Sequence, residues 1–239
     1  MRILEMAVGV VALTAATACD AGPSARAESA NVPAGSATRP ALDTPLDRLI
    51  DTELVGGNLA YFEAISGPAK RVSEWGDRSH RDYEVAGCDV RVTAEGQTIR
   101  AITFTVTPQC NPEGFGMRFD GKTLEDAEAE IGGQYVGGCI RGCGNSVEPT
   151  YGLELLGYRA NGNLNYRIEA QPTSDGEWDR VFAWGARMED IHGEEHVLAM
   201  SFQCSDADKE GARAATKDLK ITSVTVSNDF DMLTCTGSQ

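Results

Sequence analysis

The chain has 239 residues, a formal net charge of −15 at pH 7 and a sequence isoelectric point near 4.6. So acidic a chain is no candidate for nucleic-acid binding, which needs a basic surface, nor for charge-driven attachment to anionic lipid headgroups. It suits a cationic partner, although acidic surfaces also simply keep soluble proteins apart.

Arg2 precedes an apolar stretch from Met6 to Ala15, and small residues then lead to Cys19. The stretch is shorter than the roughly 20 apolar residues needed to span a bilayer. A basic start, a brief apolar core and a small-residue exit predict a secretory signal peptide over residues 1–18, with Glu5 the one residue out of character. Ala16 and Ala18 fit the A-x-A pattern for cleavage before Cys19. Ala16-Thr17-Ala18-Cys19 also resembles the lipobox of bacterial lipoproteins, departing from it at Ala16, where that family has leucine. The resemblance implies a lipid on Cys19 and an envelope protein anchored to a membrane, facing the periplasm or the exterior. From Asp20 to Asp43 the chain is dominated by Ala, Ser, Pro and Gly, too few apolar groups to offset the entropy of ordering it. Residues 19–43 therefore read as a lipidated cysteine and a flexible tether.

Helix signals open the remainder. Thr44-Pro45-Leu46-Asp47 offers an N-cap, a proline at the first helical position and an acid, followed by Leu46, Leu49, Ile50 and Leu54 at helical spacing. Asn58 is placed to cap a second short helix carrying Leu59, Phe62 and Ile65, which Gly67-Pro68 ends. Val90 and Val92 alternate with polar residues up to a turn at Glu95-Gly96, and Ile102, Phe104 and Val106 alternate after it, which predicts a hairpin. Thr123-Leu124-Glu125-Asp126 then starts another helix, with Leu124, Ala127 and Ile131 on one face up to Gly132-Gly133. Tyr151–Tyr158 and Leu164–Glu169 read as strands joined at Asn161-Gly162. Val181–Met188 and His196–Cys204 read as a further strand pair, Ser205–Lys217 as a small helix and Ile221–Val226 as a last strand.

The expected fold class is α+β, with antiparallel β meanders, a few short helices and disulfide staples. Because the helix, glycine, meander order occurs about twice, two similar tandem lobes are expected, residues 44–120 and 121–239. This order, with Ile65-Ser66-Gly67-Pro68 after a helix, resembles the SmpA/OmlA assembly-factor family and the β-lactamase-inhibitor-like fold. No functional residue carries across, since fold does not fix function.

Of seven cysteines, Cys19 stands alone beside the tether and six lie in the domain. An even set in an exported chain predicts disulfides. Proximity along the sequence suggests Cys88–Cys110, Cys139–Cys143 and Cys204–Cys235, although six cysteines allow fifteen pairings.

Motifs for chemistry are few. His192-Gly193-Glu194-Glu195-His196 satisfies H-x-x-E-H, in which two histidines on one helical face hold zinc and a glutamate acts as base. Gly193 inside the motif, and the strand-like residues after it, favour a polar turn. Cys139-Ile140-Arg141-Gly142-Cys143 has three intervening residues rather than the two of thiol–disulfide enzymes, and reads as a staple in a glycine-rich loop. Asp206-Ala207-Asp208 opens like a calcium loop, but Lys217 occupies the position that needs a bidentate glutamate. There is no G-x-S-x-G and no phosphate loop with lysine. Trp75, Phe115 and Trp178, beside charged or glycine-containing segments, are candidates for a binding face, whereas Trp184 reads as core.

The sequence thus points to a non-catalytic, lipid-anchored envelope protein without a cofactor. Its domain binds another envelope protein as a scaffold, an assembly factor or an inhibitor-like module that captures a basic enzyme. The rival is a zinc hydrolase using His192, Glu195 and His196.

Overall fold

Eight strands, several of them alternating apolar and polar side chains, build one antiparallel sheet in the computed structural model, which describes residues 48–49, 52–111, 117–142, 149–159, 162–198 and 209–228. The strands are β1 (Arg71–Trp75), β2 (Arg78–Val85), β3 (Cys88–Glu95), β4 (Thr98–Thr105), β5 (Gln134–Gly138), β6 (Thr150–Arg159), β7 (Gly162–Gln171) and β8 (Lys220–Ser227). Their order is β1-β2-β3-β4-β8-β7-β6-β5. The halves meet where β4 pairs with β8, Thr103 opposite Thr225. Local chemistry makes the turns. Ala86 and Gly87, both at positive φ (51° and 81°), form the two-residue connection between β2 and β3. Positive φ at both central positions matches the twist of a hairpin.

The helices are α1 (Leu59–Ser66), α2 (Leu124–Ile131), α3 (Asp175–His192), α4 (Glu194–Val197) and α5 (Lys209–Thr216). Leu49 lies fully buried ahead of a short 3-10 turn at Thr52–Leu54. Asn58 caps α1 as expected, its Oδ1 accepting from the Ala60 N–H at 2.8 Å. Thr123 and Asp126 form a reciprocal capping box on α2.

One row of side chains carries the core. Tyr83, Val90, Phe104, Val224, Ile168, Leu153 and Tyr135 are directly opposed from strand to strand across β2, β3, β4, β8, β7, β6 and β5. None is more than 2% exposed. Each buried aliphatic or aromatic side chain stabilises the fold by about 1.5–3 kcal/mol. Leu59 and Phe62 of α1, Leu124 of α2, and Val181, Trp184 and Met188 of α3 belong to the same cluster. Both ends of the row are pinned to a helix. The Tyr83 hydroxyl donates to Glu63 of α1 at 2.9 Å, and the Tyr135 hydroxyl donates to Glu128 of α2 at 3.0 Å. Arg81 and Arg213 hold the same two carboxylates, at 3.1 and 2.8 Å. Burial, then the neighbouring carboxylate, pushes both phenols well above the ordinary tyrosine range, so each stays a donor.

Two expectations are corrected. Val181–Met188 is not a strand but the middle of α3, and its expected partner His196–Cys204 starts within the helical turn α4, residues 199–204 lying outside the described residues. Ser174 and Glu177 form a capping box at its start, and Val181, Trp184, Gly185 and Met188 are buried at helical spacing. The β-branched and aromatic run Val181-Phe182-Ala183-Trp184 imitates a strand; the cap decides. The glycine-rich stretch from Gly137 is not all loop either, because Gln134–Gly138 forms the edge strand β5. Gly137 permits this: a Cβ there would lie 2.8 Å from the Trp184 ring and 2.6 Å from Ile140. Helix α5 falls within the expected Ser205–Lys217, residues 205–208 lying outside the described residues. So do residues 160–161, between the paired β6 and β7. The described residues all belong to one compact unit, and a single apolar cluster runs through both halves of the sheet.

Cys88, the first residue of β3, is bridged to Cys110, beyond the end of β4, with Cα atoms 4.9 Å apart. This is the pairing expected from the hairpin's free ends. Cys139 is also disulfide-bonded; Cys19, Cys143, Cys204 and Cys235 lie outside the described residues.

Two outcomes follow for stability. The Cys88–Cys110 bridge spans 22 residues, so the Cys88→Ala/Cys110→Ala variant should lose about 3 kcal/mol in urea unfolding; a loss below about 1 kcal/mol contradicts this. Tyr151 is fully buried, and its hydroxyl meets no hydrogen-bond partner among the described residues. Tyr151→Phe should therefore leave stability unchanged or raise it, since the hydroxyl contributes desolvation cost and no bond; a loss above about 1 kcal/mol would show a hidden partner.

Candidate functional site: the polar face of the sheet

Side chains one residue out of step with the core row point to the other face. Here a second row runs across all eight strands: Arg71, Asp82, Arg91, Thr103, Thr225, Arg167, Glu154 and Gln134, each opposite the next. Rings and hydroxyls tie helices to the opposite side, as at Phe62–Tyr83 (4.9 Å between ring centroids) and Tyr151–Trp184 (6.2 Å). Two adjoining grooves of about 360 and 340 Å³ lie over the polar row, sharing Arg91 and Thr103.

At the β1 end, Asp82 is clamped from both sides. Its Oδ2 accepts from Arg71 Nε at 2.8 Å and its Oδ1 from Arg91 Nε at 2.7 Å. The Arg91 hydrogen bond, then that of Arg71, holds this carboxyl below the ordinary aspartate value against the opposing effect of desolvation. Beside the clamp, Lys70 pairs with Glu84. At the β7 end, Arg167 donates through Nε and Nη2 to Glu154 Oε1 at 3.1 and 2.9 Å. That pair is largely buried, with side chains 17% and 9% exposed. It must therefore be held by its geometry, because removing either partner would strand a desolvated charge. Between the ends sit hydroxyls: Thr103 and Thr225 share a hydrogen bond of 2.8 Å, and His80 Nδ1 lies 3.0 Å from Thr93 Oγ1.

The charged groups of the row face partners of opposite sign, the Thr103 and Thr225 hydroxyls bond each other, and the Thr93 hydroxyl meets the His80 imidazole. Among the described residues the row from Arg71 to Gln134 holds no nucleophile–base–orienter chain.

The residues singled out from the sequence divide. Trp75 ends β1 77% exposed, with its ring 6.5 Å from that of His80, at the rim of the polar face. Trp178 is not on that face. It lies in the first turn of α3, half-buried against the core and stacked on Phe182 at 5.3 Å. Trp184 is core, as expected, but on a helix. Phe115 lies outside the described residues. The H-x-x-E-H segment is no single helix: His192 ends α3, Gly193 caps it at φ +88°, and Glu194–Val197 is the separate turn α4. The break at Gly193 removes the i, i+4 geometry by which two histidines share one helical face. Among the described residues no group of three or more His, Cys, Asp or Glu could hold a metal ion.

The sequence reading missed Arg71, Asp82, Arg91, Thr103, Thr225 and Arg167. The available signal was polar alternation in the Arg78–Val85 and Cys88–Glu95 segments. Their convergence depends on pairing across strands far apart in the chain.

The clamp has a pH consequence. A carboxyl lowered by folding contributes stability that is complete above the unfolded aspartate value near 3.9 and is lost as pH falls through the lower folded value. In an NMR titration Asp82 should therefore titrate below 3.8, and Arg91→Gln should raise its midpoint; an Asp82 midpoint at or above 3.8 contradicts the clamp.

No protein-family model matches the chain, and no curated protein matches it in sequence. A solved structure to which it is similar is a cysteine-rich secretory protein from Staphylococcus aureus subsp. aureus Mu50, at 12% identity and a TM-score of 0.33. The match covers 75% of this chain and 46% of that one, so this chain spans less than half the length of that protein.

Proposed function

We propose that this chain is an exported, lipid-anchored cell-envelope protein whose α+β domain binds another envelope protein, without catalysis, through the polar face of its sheet. The observation that carries the reading is the cross-strand row from Arg71 to Glu154, a broad polar surface over two adjoining grooves with the exposed Trp75 at its rim. Exposed aromatic and arginine side chains are the residue types that most often anchor protein interfaces. Export is supported by the signal-like start, by Cys19 after the short apolar run, and by the oxidised state of Cys88, Cys110 and Cys139.

On this reading the two halves of the sheet are related lobes joined edge to edge. The strand order runs inward from β1 and from β5 and meets in the antiparallel β4–β8 pair, as a two-fold relation between halves requires. The chain's acidity suits a basic partner and would speed its approach. The anchor on Cys19 would hold the domain near its partner, at the end of the tether.

The test is capture from envelope extract by the full-length protein, with Trp75→Ala and Arg71→Ala compared to the parent. Loss of the same captured protein in both variants is expected. Equal capture by all three would show that binding uses another surface.

A further inference from the structure

Within the reading of the polar face as a docking surface, we propose that the groove between Arg91 and the Thr103–Thr225 hydroxyl pair is an oxyanion site, taking a tetrahedral group of the phosphate or sulfate class. Arg91 donates to Asp82 through Nε. Among the described residues its two terminal Nη groups have no hydrogen-bond partner, and its side chain is half exposed at the junction of both grooves. A guanidinium fork is the side-chain group best matched to such an anion. Asp82 prevents Arg91 from swinging away, because the same carboxylate is held on its other side by Arg71.

Next to Arg91 across the strands stands Thr103, its direct partner. Paired residues on neighbouring strands are about 5 Å apart, within reach of a single small anion. Thr103 and Thr225 use one hydroxyl hydrogen on their mutual bond, so one more remains to be donated outward. His80 lines the same groove, its Nδ1 engaged by Thr93. Arg91 on one strand and the threonine pair on the next two thus bring donors to the groove from separate strands. A planar carboxylate needs only one fork; a fork with a hydroxyl beside it suits a tetrahedral group. Both guanidiniums of the groove already face carboxylates, Arg91 that of Asp82 and Arg167 those of Glu154 and Glu169, so the half-exposed fork of Arg91, and not an excess of local positive charge, is what would hold the anion.

The experiment is calorimetric titration of the full-length protein with inorganic phosphate, in parallel with sulfate and a hexaglutamate peptide, with circular dichroism on each variant. Saturable phosphate binding is expected, weakened at least tenfold in Arg91→Gln. Arg91→Lys, which keeps the charge and loses the fork, should fall between. Arg187→Gln on the exposed side of α3 should match the parent. Absence of saturable binding up to about 10 mM phosphate, or unchanged binding by folded Arg91→Gln, overturns the site. Tighter binding of hexaglutamate than of phosphate overturns the tetrahedral assignment. Capture of a protein partner is read separately through Trp75→Ala, so the oxyanion site can fail while the docking face stands.

Discussion

Strand side chains point alternately to the two sides of a sheet, and the register of the β strands keeps the two sets apart across the whole width of this one. Tyr83, Val90, Phe104, Val224, Ile168, Leu153 and Tyr135 meet in one buried row. Their neighbours one step along, Asp82, Arg91, Thr103, Thr225, Arg167 and Glu154, meet in the other. A slip of one residue would carry a charged side chain into the apolar layer at β2, β3, β6 or β7, and a threonine at β4 or β8. The register is therefore fixed by a cost no local rearrangement could offset, and helices can pack against only one side. The polar face is the consequence.

That face is ordered by bonds within the chain itself. Asp82 orients two guanidiniums, Glu154 fixes Arg167, and the Thr103–Thr225 bond sets the floor between them. Each bond removes rotamer freedom that a binding event would otherwise have to remove, so association loses less entropy. The tyrosine–glutamate bonds at Glu63 and Glu128 do the corresponding work on the apolar side, tying α1 and α2 to the ends of the buried row.

Local chemistry was legible in the sequence; distant pairing was not. The Asn58 cap, the Thr123–Asp126 box, the β3–β4 hairpin and the bridge between its ends all rest on residues close in the chain. Helix α3 was misread because Val181-Phe182-Ala183-Trp184 is rich in strand-forming side chains, while the deciding cap at Ser174 lies seven positions upstream. β1 escaped notice because all five of its residues are exposed, so it carries no apolar alternation. The site combines β1–β4 with β7 and β8, from opposite ends of the domain. Only the β4–β8 pairing brings Arg91 and Arg167 onto one surface, and no short motif encodes that pairing. Trp75 was legible as an exposed aromatic; its position beside the polar row was not.

Arginine-selective labelling with phenylglyoxal, read by mass spectrometry, tests whether the polar face is open in the free protein and is the face proposed to bind. Arg71 and Arg91, with side chains 71% and 52% exposed, should react readily, and Arg167, at 17%, should be protected. A bound partner should then shield Arg71 and Arg91 while leaving Arg187 of α3 reactive. Protection of Arg71 and Arg91 in the free protein, or shielding of Arg187 in their place, would contradict the claim.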